Sequence, residues 1–92
     1  MHPTPTFRPA NHVATADLEG EMVLLNVTSG IYFGLNPVAS RIWQLLATGL
    51  DEPGIVQALL AEYDVDEARL RLDVASTIRQ LQTDGLLDTV EQ

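Results

Sequence analysis

The sequence predicts an α+β fold of winged helix-turn-helix type, in which a three-stranded antiparallel sheet is followed by three helices. Three observations carry that expectation. Short β-rich runs separated by turn signals occupy the chain up to Leu35, and the apolar spacing changes from two to 3.6 at Asn36-Pro37. Beyond that point, two helical segments about three residues apart have helix-turn-helix proportions. A chain of 92 residues, 46% of them apolar, supplies one core rather than two.

Residues 1–11 carry Pro3, Pro5 and Pro9 among small polar residues. Such a stretch forms no helix and has little to bury, so it is expected to be a flexible arm, with the domain proper spanning residues 12–90. His12 to Leu18 alternates weakly and stops at the turn signal Glu19-Gly20, which marks a first strand. Met22-Val23-Leu24-Leu25-Asn26-Val27-Thr28 is rich in β-formers and ends at Ser29-Gly30, after which Ile31-Tyr32-Phe33-Gly34-Leu35 resumes the pattern as the second arm of a hairpin. Ile31, Phe33 and Leu35 share one face of that last strand, Tyr32 and Gly34 the other.

Asn36 before Pro37 starts the first helix: the Asn side chain accepts an orphan N–H, and proline at the first helical position loses nothing. Val38, Ile42, Leu45 and Leu46 form its apolar stripe and Gly49 its stop. Asp51 caps a second helix that buries Ile55, Val56, Leu59, Leu60 and Tyr63. Asp66 caps a third, whose Leu70, Val74, Ile78 and Leu81 lie within about 80° of one another at about 100° per residue. Gly85 ends it, and Leu86, Leu87 and Val90 make an apolar tail suited to packing back or adding a strand.

Thirteen acids against five bases, all arginine, give a formal net charge of −8. Nucleic acid is held mainly by neutralising its phosphates, so general DNA or RNA affinity is not expected. A winged-helix DNA-binding regulator is nevertheless the alternative that topology alone offers. Its recognition element would be the third helix, where Arg69, Arg71 and Arg79 face Asp66, Glu67, Asp73 and Asp84, a balance of −1 where recognition helices are normally positive.

The residues for catalysis are missing. Cysteine is absent, which removes disulfides, thiolate metal sites and thiol nucleophiles together. His2 and His12 are read as solvated residues, and Ser29, Ser40 and Ser76 lack a base. The acids Asp64, Asp66 and Glu67 lack the glycine and the later glutamate of a calcium loop and suit helix capping instead. No glycine cluster cradles a phosphate, so no cofactor is expected, nor a metal. No apolar run approaches a membrane span and no basic, apolar signal opens the chain, so the expectation is a cytoplasmic protein without membrane contact.

One flank of the third helix stands out. Arg71, Leu72, Ala75, Arg79 and Gln82 fall beside the core stripe, apolar in the middle and basic at two points. The flank reads either as an ordinary boundary face whose arginines pair with surface acids, or as one wall of a groove beside an exposed edge strand that accepts an extended peptide.

The ordered set Leu24-Leu25-Asn26, Gly30 with Tyr32, Leu35-Asn36 with Ala39, Ile42-Trp43, Ile55-Val56 with Leu59, Tyr63-Asp64-Val65, then Val74, Ile78, Leu81 and Asp84-Gly85-Leu86-Leu87 resembles the PqqD-like family of peptide-recognition elements, over about Val13 to Leu87. The resemblance implies a non-catalytic winged-helix domain that binds the leader segment of a ribosomally synthesised precursor peptide and presents it to processing enzymes. It also implies that the leader adds as a strand beside Ile31, Tyr32, Phe33, Gly34 and Leu35 and lies against the third helix. The expected site there is Arg71, Leu72, Ala75, Ile78, Arg79 and Gln82. The stand-alone size is similar to lasso-peptide recognition proteins, which work with a separate leader peptidase and an ATP-dependent cyclase; the pyrroloquinoline quinone peptide chaperone is the alternative within the family.

Overall fold

The computed structural model describes residues 4–90. Its elements are β1 (Thr6–Pro9), β2 (Val13–Leu18), β3 (Glu21–Asn26), β4 (Ile31–Gly34), α1 (Pro37–Ala47), α2 (Glu52–Glu62), α3 (Glu67–Thr83) and β5 (Leu87–Val90). The antiparallel sheet β2-β3-β4 followed by three helices is the expected α+β architecture.

Local chemistry sets the boundaries. Glu19 and Gly20, at φ 57° and 89°, make the two-residue turn between β2 and β3, a conformation that matches the twist of paired strands. The Asp17 carboxylate accepts the Gly20 N–H there at 3.0 Å. Each helix begins on the cap expected from sequence. Asn36 Oδ1 accepts the Ala39 N–H at 2.8 Å, Asp51 Oδ1 that of Gly54 at 2.9 Å, and Asp66 Oδ2 that of Arg69 at 2.9 Å. Gly85, at φ 76°, follows α3 in the left-handed conformation.

The core gathers around α1. Ile42, Trp43, Leu45 and Leu46 pack with Met22 and Leu24 of β3, Ile55, Val56 and Leu59 of α2, and Leu70, Val74, Ile78 and Leu81 of α3. Two residues expected in helix stripes lie outside it. Val38, in the first turn of α1, is 39% exposed, and Tyr63 is 37% exposed because the chain turns extended there and leaves α2.

The N-terminal segment corrects the expectation of an arm with little to bury. β1 pairs antiparallel with β5 as a separate two-stranded sheet, with Thr6 opposite Val90 and Pro9 opposite Leu87. Phe7 and Ala10 are buried, and Leu86 and Leu87 of the tail are buried with them. A two-stranded ribbon needs donors on one side only, so the prolines do not forbid it. Residues 1–3, with His2 and Pro3, lie outside the described residues. His12 is tied as well: its Nε2 donates to the Gly85 carbonyl at 2.9 Å, joining the start of β2 to the end of α3.

Candidate functional site

β4 lies at one edge of the three-stranded sheet, with β3 on one side and, among the described residues, no strand on the other. Its backbone phase follows from one bond. Leu35 N–H donates to the Met22 carbonyl at 2.8 Å, and antiparallel ladders alternate, so Ile31 and Phe33 also turn their polar groups to β3. Tyr32 and Gly34 therefore turn theirs to the open edge. Gly34 adds clearance, since a Cβ built there meets nothing within 4 Å.

Next to this edge lies a trough. A cavity of about 380 Å³ has Phe33, Gly34, Leu35 and Ala39 on one wall and Ser76, Thr77, Gln80 and Leu81 of α3 with its C-cap Asp84 on the other, and Leu86 beside them. A second cavity, about 390 Å³, shares Ala39, Ser76 and Thr77 and continues the trough past Asn36, Val38 and Asp73. The interior is apolar where Phe33, Leu35, Leu81 and Leu86 meet, and the α3 rim is polar.

The structure divides the expected site residues. Phe33, Gly34 and Leu35 line the trough; Ile31 and Tyr32 belong to the same edge and are 53% and 70% exposed. On α3 none of Arg71, Leu72, Ala75, Ile78, Arg79 and Gln82 lines either cavity. Ile78 is a core residue at 3% exposure. Arg71 is bonded within the helix to Glu67 Oε2 at 2.7 Å, and Gln82 Nε2 donates to Thr89 Oγ1 at 3.1 Å, so the last turn of that flank meets β5. With Leu70 at zero and about 100° per residue, the trough residues Asp73, Ser76, Thr77, Gln80 and Asp84 fall at about 240–340°, on the far side of the core stripe from the expected flank. Sequence reasoning did not single them out because they are small or polar. Their available signal was a run of hydroxyl and amide side chains ending on the cap residue Asp84.

Among the described residues no arginine lines the trough. Arg41 forms a bidentate pair with Glu62 (2.8 Å), joining α1 to α2, and Arg69 Nε stands 3.6 Å from Asp73. With Arg71 on Glu67, two of the three arginines of α3 are matched within the helix, which leaves no basic face for a duplex. Ser40, one of the three serines without a base, is buried and structural: its hydroxyl accepts the Met22 N–H and donates to the Leu35 carbonyl. Among the described residues no three His, Asp or Glu side chains gather as a metal site, and no helix is long and apolar enough to cross a membrane.

Residues 21–87 match the family described as coenzyme PQQ synthesis protein D (PqqD). The chain belongs to the PqqD family. Two solved structures share this PqqD architecture. One is TbiB1 in complex with the TbiA(beta) leader peptide, 40% identical over 88% of this chain and 94% of that one, with a TM-score of 0.83. The other is a lasso peptide synthetase B1 complexed with the leader peptide, 32% identical over 89% of this chain and 96% of that one, also with a TM-score of 0.83. A comparison with curated proteins finds no match. The PqqD match begins at the start of β3 and ends at the start of β5, and so includes both walls of the trough.

Proposed function

We propose that this PqqD-family chain is a non-catalytic recognition protein of lasso-peptide type, which binds the leader segment of a ribosomally synthesised precursor and presents it to a separate leader peptidase and cyclase. The leader adds as a strand to β4, bonding to the outward N–H and C=O groups of Tyr32 and Gly34, while alternate side chains enter the trough against α3. One observation carries this reading. A free edge strand adjoins an apolar-floored trough, in a chain 40% and 32% identical to two proteins whose structures hold a leader peptide.

The test is calorimetric titration with the TbiA(beta) leader peptide, first into the wild-type chain and then into Gly34→Pro. Proline at position 34 removes an outward N–H and leaves the bonds to β3 intact. Circular dichroism unchanged and affinity lowered about tenfold is the expected result; equal affinity in a folded variant moves the peptide away from this edge.

A further inference from the structure

The two ends of the trough differ electrostatically, and the difference bears on which leader fits. At the Asp73 end the carboxylate has a partner, Arg69, and the trough meets the N-terminus of α1, whose first-turn N–H groups carry partial positive charge. At the Asp84 end the negative charge is the carboxylate's own. Asp84 is the C-cap of α3, and the last carbonyls of the helix, those of Gln80, Leu81 and Gln82, already accept the N–H groups of Asp84, Leu86 and Gly85. Its Oδ1 accepts only the neutral amide of Gln80, at 3.1 Å, and its side chain forms no ion pair among the described residues. The adjoining interior of Phe33, Leu81 and Leu86 is apolar, so the carboxylate sits at the mouth of a pocket that no cationic side chain lines among the described residues.

Resting on the leader-binding reading, we infer that Asp84 selects a leader with a cationic side chain, lysine or arginine, next to the residue that enters the apolar pocket. The occupant is the leader strand itself. From Asp73 to the C-cap Asp84 the helix rises about 16 Å at 1.5 Å per residue, the length of about five extended leader residues, so both ends of the trough belong to one bound strand. Because only the Asp84 end lacks a matching cation, the preference is one-sided and fixes which end of the bound segment carries the charge. A leader with an acidic side chain at that position faces the Asp84 carboxylate and binds more weakly.

The TbiA(beta) leader peptide serves as probe, with each position replaced in turn by arginine and by glutamate, titrated into wild type, Asp84→Asn and Asp73→Asn at low and high NaCl. One position is expected where arginine tightens and glutamate weakens binding, each by about two- to fivefold, with the difference shrinking in salt. Asp84→Asn should abolish that preference and Asp73→Asn should retain it. Binding with no charge-sensitive position, or the same preference in folded Asp84→Asn, overturns this inference alone. If neither the parent peptide nor any variant binds, the leader-recognition reading falls and the inference with it.

Discussion

Ser40 Oγ lies 2.8 Å from the Met22 nitrogen and accepts its N–H inside the core. The same hydroxyl donates to the Leu35 carbonyl at 3.1 Å. One side chain of α1 thus holds the start of β3 and the end of β4, the strand that presents the open edge. Ser40→Ala leaves a buried N–H without its acceptor, at a cost of about 1–3 kcal/mol. The check is the urea midpoint, which should fall with an unchanged m-value.

Proline scanning of β4 should reveal the phase of its backbone. Gly34→Pro is expected to spare folding and lose leader affinity. Phe33→Pro removes an N–H that faces β3, and with it a ladder hydrogen bond, and should lower stability itself. Thermal melts of the two variants, beside titrations with the TbiA(beta) leader peptide, distinguish the outward position from the inward one.

The α3 flank toward β5 should be silent in binding. An Arg71→Ala, Arg79→Ala double variant is expected to bind that leader within about twofold of wild type, since neither residue lines the trough. Ser76 is exposed on the opposite flank and lines both cavities, so Ser76→Trp should fill the trough and weaken binding tenfold or more. Titration of both variants decides which side of α3 faces the peptide.

β1 should contribute to stability. Phe7 is 8% exposed and packed in the core cluster, so Phe7→Ala is expected to cost about 3 kcal/mol, near the low end for a buried aromatic. An unchanged melting temperature would show that the β1-β5 ribbon does not hold the domain together.

Acid should weaken the α1-α2 joint. The Glu62 carboxyl is held below the usual carboxylate range by its hydrogen bonds from Arg41; partial desolvation opposes this and the Arg41 charge adds to it. A depressed folded value means that the stabilisation is complete above the unfolded value, about 4.3 for glutamate, and is lost as pH falls through the folded one. Glu62→Gln should therefore unfold at lower urea than wild type at pH 7, with the gap closing progressively below about pH 4.3. Arg41 keeps its proton throughout, so it adds no pH dependence of its own in this window.

What the sequence made legible was local. Asn36, Asp51 and Asp66 are caps because a short polar side chain followed by a helical period has few other uses, and all three accept the expected N–H. The β1-β5 ribbon was hidden because Thr6 meets Val90 across almost the whole chain, and four-residue strands carry little periodic signal. The side of α3 that faces the open edge of the sheet was hidden for another reason. A helical stripe has two flanks, and spacing alone does not say which one turns to the sheet. Leu72 and Ala75 gave one flank the look of a binding surface, while the trough is walled by Ser76, Thr77 and Gln80, which read as ordinary solvent positions.

The pairing of Thr6 with Val90 also bears on modular use. The backbone enters and leaves the domain side by side, at the end of the ribbon remote from Leu86 and the trough. A unit with adjoining entry and exit behaves as a cassette: spliced into a surface loop of another protein, it would not force that loop's ends apart. The same adjacency lets a catalytic module joined at either terminus leave from one place, so presentation of the trough would not depend on the order of fusion.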